Sequence, residues 1–150
     1  GLGGYCAASR NVVQYLRLYA RSYFFSTALP ASVAGGLNEV FKLLASDNAG
    51  REKLWENINY LKQKLSEKGF DIGNSQSAVI PVMIYSEPVL FELYDKLRRN
   101  GVYVNIVTYP AVRRKECRMR LCAMKDLNFE QIERAVDIIA KYAREYNVIS

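Results

Sequence analysis

Tyr109-Pro110-Ala111-Val112-Arg113-Arg114-Lys115-Glu116-Cys117-Arg118-Met119-Arg120-Leu121-Cys122 joins two β-like runs through a proline turn and a basic loop. The run that enters it, Val102 to Tyr109, is rich in β-branched and aromatic residues. The run that leaves it alternates strictly. Cys117, Met119, Leu121 and Ala123 fall on one side, and Arg118, Arg120 and Cys122 on the other. Successive strand side chains point to opposite faces, so the pattern predicts a half-buried strand with both guanidiniums turned away from the core. A guanidinium stays charged and is costly to bury alone. That face must therefore meet water, acidic side chains or an anionic ligand. Partner carboxylates or solvent are the commoner use of such arginines, and a ligand carboxylate is the alternative.

The flanks predict an α+β lobe. Ala78 to Tyr85 (AVIPVMIY) reads as a strand in which Pro81, lacking a donor, demands an edge position or a bulge. Ser86-Glu87-Pro88 starts a helix carrying Leu90, Leu93, Tyr94 and Leu97, and Asn100-Gly101 stops it. Asn128 with Gln131 forms a capping box for a last helix with Phe129, Ile132, Val136, Ile139, Ala140 and Ala143 on one stripe. From Gly69 onward the order is strand, helix, strand, strand, helix. That order implies a small, mostly antiparallel sheet covered on one face by helices.

Upstream, Leu54, Ile58, Leu61 and Leu65 recur at helical spacing in a long helix ending at Gly69. Ala31 to Ala45 is a second linking helix, whose Gly35-Gly36 permits close packing. Asp47-Asn48-Ala49-Gly50 breaks the two, so domains are expected at 1–47 and 48–150. Asn11 caps a helix to Ala20 with Val12, Tyr15, Leu16 and Tyr19 on one stripe, after a short strand at Tyr5–Ala8. Three glycines in the first four residues allow unusual backbone angles or close approach of another group. Tyr23-Phe24-Phe25-Ser26-Thr27-Ala28-Leu29-Pro30 predicts a tight, buried passage. Its Ser26 and Thr27 are either turn and cap residues or donors to a phosphate.

Composition narrows the function. The 150 residues are 50% hydrophobic and 24% charged, which is globular. No apolar run approaches the ~20 residues that span a bilayer, and no signal peptide is visible. The net charge of +6 is spread along helices beside Glu and Asp, with only Arg113-Arg114-Lys115 as a tight cluster. Without an accompanying motif, nucleic acid is not the expected partner. The three cysteines, Cys6, Cys117 and Cys122, make no C-x-x-C pattern, and an odd count fits reduced thiols in the cytoplasm. Histidine is absent, so Ser-His and Cys-His pairs are absent from this segment. Chemistry here needs another group or a cofactor. Gly1-Leu2-Gly3-Gly4-Tyr5 reads as the interior of a longer chain.

GLGGYCAAS (1–9), YLR (15–17), YFFSTALPA (23–31), GF (69–70), SAVIPVMI (77–84), GVYVNIVTYPAV (101–112) and RMRLCA (118–123) together resemble the C-terminal part of the α-oxoamine synthases. These are pyridoxal-phosphate enzymes of the fold-type I aminotransferase class. The family includes glycine C-acetyltransferase, 8-amino-7-oxononanoate synthase, 5-aminolevulinate synthase and serine palmitoyltransferase. Each segment is weak singly; their order and spacing, over nearly the whole chain, carry the resemblance. Residues 103–122 are most similar to serine palmitoyltransferase-type sequences, while the GLGGY start is closer to glycine C-acetyltransferase.

The resemblance implies the small C-terminal domain of such an enzyme, following the end of the large cofactor-binding domain. It implies pyridoxal 5'-phosphate as cofactor, a homodimer, and an amino acid and an acyl-CoA (or acyl carrier protein) as substrates. The cofactor-bearing lysine would lie just upstream, so this segment alone would be inactive. Gly3, Gly4 and Tyr5 would close the lysine loop. Ser26 and Thr27 would reach the cofactor phosphate of the neighbouring subunit, and Arg120 would hold the amino-acid carboxylate with Arg118 as support. The Arg113-Arg114-Lys115 loop is either solvated or drawn to the phosphates of an acyl-CoA. Where the family follows R-x-R with a Ser-Ala-x-His-Thr type segment, this chain has Ala123-Met124-Lys125-Asp126-Leu127. That departure implies a divergent subgroup, an altered substrate or a non-catalytic regulatory subunit.

Overall fold

A computed structural model describes residues 2–150. The chain divides into two compact units, Gly1–Asn48 and Ala49–Ser150.

The first unit is helical among its described residues: α1 (Arg10–Tyr19), a single turn α2 (Arg21–Phe24) and α3 (Ala31–Ser46). The expected strand at Tyr5–Ala8 does not form, because no other segment of this unit offers it a ladder partner. The 23–30 passage is exposed and not buried. Tyr23, Phe24 and Phe25 stand 63%, 65% and 83% open, in a unit whose three helices bury no residue among those described. Gly35 and Gly36 serve no close contact here, as an added Cβ on either would meet nothing within 4 Å. Gly3 behaves as expected: its φ is +106°, and a Cβ would sit 2.7 Å from a Leu29 methyl. The backbone angle is what disfavours a side chain there, since the Leu29 methyl could shift aside.

The second unit holds the core. α4 (Asn48–Glu67) follows α3 after Asp47 alone, a shorter break than expected. It buries Ile58, Leu61 and Leu65 and ends beside Gly69 at φ +86°. The strands are β1 (Val79–Met83), β2 (Asn105–Val107) and β3 (Arg118–Cys122), in an antiparallel sheet of order β1-β3-β2. Pro81 therefore lies on an edge strand, where its missing N–H costs no ladder bond. α5 (Glu87–Arg99) joins β1 to β2, and α6 (Phe129–Glu145) follows β3.

Alternation assigns the faces. Ile80 and Val82 of β1 oppose Leu121 and Met119 of β3 on the buried side. Leu90, Leu93 and Leu97 of α5 and Ile132, Val136 and Ile139 of α6 complete the core with the α4 stripe. Each such side chain taken from water stabilises the fold by about 1.5–3 kcal/mol. α6 carries the expected capping box: Gln131 N–H donates to Asn128 Oδ1 at 2.8 Å, and Asn128 N–H to Gln131 Oε1 at 3.0 Å. The fold is α+β with a small antiparallel sheet covered by helices, as expected.

Candidate functional site

β3 is the central strand, so its outward side chains stand in the middle of the sheet's uncovered face. Arg118 is flanked by Met83 and Val107, and Arg120 by Pro81 and Asn105. The two arginines differ in their partners. Arg118 is pinned: its Nε donates to the Glu116 carbonyl at 2.8 Å, and a terminal nitrogen lies 3.7 Å from Glu116 Oε2. Arg120 is exposed and has neither a hydrogen bond nor an ion pair among the described residues. A guanidinium with five donors in a planar fork and none of them engaged is equipped to take a carboxylate bidentately. Cys122, also on this face, is an exposed free thiol. Cys117 points inward, and burial, with Glu87 as the lesser cause, pushes its thiol up.

The loop into β3 is braced. A 3₁₀ turn, Arg114–Glu116, presents Arg114 over the Tyr109 ring at 4.7 Å and 4.0 Å from Glu87 Oε2. Arg113 and Lys115 are exposed without partners among the described residues. Past the end of β1, Tyr85 adopts φ 63°, and its hydroxyl donates to Asp71. That hydrogen bond, with a second from the Gly73 amide, holds the Asp71 carboxyl below the usual carboxylate range. The same contact raises the Tyr85 phenol, against which the charge of Arg118 acts.

Where β3 hands over to α6, Asn57 of α4 is fully buried. Its Nδ2 donates to the carbonyls of Met124 and Leu127, each at 2.8 Å. This ties down the 123–127 segment between β3 and α6. Asn57 Oδ1 has no partner among the described residues.

Ser26 and Thr27 lie in the first unit and Arg120 in the second. Ser26 donates its hydroxyl to the Ser22 carbonyl, four residues back. Thr27 is exposed without a partner among the described residues. Sequence reasoning missed Glu116, Tyr85 and Asn57. An acid two residues before Arg118 was the available signal for Glu116. Nothing local marks a polar Asn57 on an apolar stripe as a clamp.

The profile of the family described as Aminotransferase class I and II matches residues 2–139. The chain belongs to that family. Among its curated relatives are the 8-amino-7-oxononanoate synthase of Alkaliphilus metalliredigens, 35% identical over 99% of this chain and 38% of the relative. The serine palmitoyltransferase of Sphingobacterium spiritivorum is 37% identical over 99% of this chain and 37% of the relative. The solved structure of Sphingomonas wittichii serine palmitoyltransferase superposes with a TM-score of 0.77 at 28% identity, covering 97% of this chain and 37% of that one. A solved structure of SPT with PLP gives a TM-score of 0.76 at 27% identity, over 91% and 35% of the two chains. The α-oxoamine synthase resemblance and the C-terminal-domain fold are thus borne out. The chain spans little more than a third of the length of these relatives.

Proposed function

We propose that this chain is the C-terminal part of a pyridoxal-phosphate-dependent acyltransferase that condenses an amino acid with an acyl-CoA, losing carbon dioxide and releasing CoA. The observation that carries the reading is Arg120: a free guanidinium at the centre of the uncovered sheet face, beside an arginine already occupied. Arg120 takes the amino-acid carboxylate through paired N–H donors and so orients the bonds at the α-carbon. Arg118, anchored on Glu116, supports the loop–strand junction.

The residues present suit the cofactor's phosphate. Thr27 offers an open hydroxyl, and α3 begins four residues later with no side-chain cap on its first-turn amides. Ser26 joins it once its hydroxyl turns from Ser22. These two contacts reach the phosphate of the neighbouring subunit in a cytoplasmic homodimer. Pyridoxal phosphate, when bound, supplies an electron sink for the carbanion at the α-carbon. Residues 1–47 then close the large domain, and 48–150 form the small one. Serine palmitoyltransferase-like use of serine is the preferred assignment, with glycine C-acetyltransferase and 8-amino-7-oxononanoate synthase as alternatives.

The test is the visible absorption of the intact gene product with pyridoxal phosphate, titrated separately with serine, glycine and alanine. A response to one of them identifies the amino acid. Arg120→Gln should weaken that response about 30- to 100-fold, the loss of a charge-assisted bidentate contact. A protein without absorbance, indifferent to all three, is instead a regulatory subunit of the same fold.

A further inference from the structure

We infer that Glu116 sets the charge specificity of the Arg120 site, by neutralising Arg118 so that only one guanidinium on the sheet face is open to a carboxylate. The inference rests on the carboxylate-binding reading of Arg120 and extends it to the substrate's side chain. Arg118 and Arg120 are two residues apart on one face of a central strand, which places their Cα atoms about 6.6 Å apart. Two free guanidiniums at that spacing would form a receptor for two carboxylates on one small molecule. An α-amino dicarboxylate such as aspartate or glutamate is such a molecule.

The structure closes the second position. Glu116 holds Arg118 twice, by its backbone carbonyl on Nε at 2.8 Å and by its carboxylate 3.7 Å from a terminal nitrogen. Met83 and Val107 stand on either side of Arg118, each partly buried, and a ligand carboxylate would lose water against them without gaining a free charge. Arg120 has the opposite surroundings, with exposed Asn105 on one side, Pro81 on the other and no acid engaged. The nearby acids are otherwise committed: Asp71 to the Tyr85 hydroxyl and Glu87 toward Arg114. Glu116 is thus the only acid engaging Arg118 among the described residues. The site therefore selects an amino acid with an uncharged side chain, and one acidic residue in the loop makes the selection.

The backbone contact survives Glu116→Gln while the charge does not, which separates charge from positioning. The experiment measures calorimetric affinities of L-alanine, L-serine, L-aspartate and L-glutamate for the intact, cofactor-loaded protein. Wild type, Glu116→Gln, Glu116→Gln with Arg118→Gln, and Arg120→Gln are compared. Glu116→Gln should improve the aspartate-to-alanine affinity ratio about tenfold, the effect of one uncompensated charge in a half-solvated site. Adding Arg118→Gln should remove that gain, and raised salt should shrink it. An unchanged ratio in Glu116→Gln, or a gain that survives Arg118→Gln, overturns the inference. Undiminished alanine binding in Arg120→Gln overturns the underlying carboxylate reading instead.

Discussion

Replacing Asn57 probes the one polar side chain that is buried among the described residues, and its consequences can be worked from its contacts. Asn57→Ala removes two donors, to Met124 and Leu127, at 2.8 Å. Each such bond contributes about 0.5–1.5 kcal/mol net, so the gross loss is about 1–3 kcal/mol. The orphaned Oδ1 leaves with the side chain and returns its burial penalty, but the part-buried carbonyls that Nδ2 served lose their donor at a comparable cost, so the net loss should be about 1–2 kcal/mol. Asn57→Asp should be worse. An introduced carboxylate has no donor for either carbonyl and is buried without a cation, a situation costing about 3–5 kcal/mol. Burial would raise its folded pKa above the unfolded value near 3.9. The penalty is therefore absent below that pH, grows as pH rises toward the folded pKa, and is complete above it. Urea unfolding followed by Trp55, two residues away and the only tryptophan, measures both variants between pH 4 and pH 8. A loss under about 0.5 kcal/mol for the alanine variant would refute the clamp. So would an aspartate variant as stable at neutral pH as the alanine one.

Met119 has no exposed surface on the central strand, so Met119→Ala should cost about 2–5 kcal/mol by the same urea assay. Asn128→Ala breaks the capping box of α6 and should cost about 0.5–2 kcal/mol, seen as a lower urea midpoint with unchanged slope. Asp71 is held below the usual range by Tyr85 and Gly73, so its stabilisation is present above the unfolded pKa near 3.9 and lost as pH falls through the depressed folded value. Asp71→Asn should therefore flatten this part of the acid limb in a plot of unfolding midpoint against pH.

The alternation around Arg120 was legible because period-2 burial is a local code: once Met119 and Leu121 go inward, Arg118 and Arg120 must face out. The capping box of α6, the stripe of α4 and the edge position of Pro81 are equally local, set in turn by a side-chain acceptor, by helical spacing and by a missing backbone donor. Sequence order and motif spacing were also enough to reach the family. Tertiary structure decided the rest. The Tyr5–Ala8 run is β-like in composition, yet a strand needs a partner that this unit does not supply. The aromatics of 23–25 promised burial, but burial needs a packed neighbour, and the helices of this unit bury no described residue. The two arginines are identical in type and facing, and no pattern distinguishes them. Only the turn at Arg114–Glu116 brings an acid back onto Arg118 and leaves Arg120 open, because partner choice is set by where the chain bends, which strand periodicity does not encode.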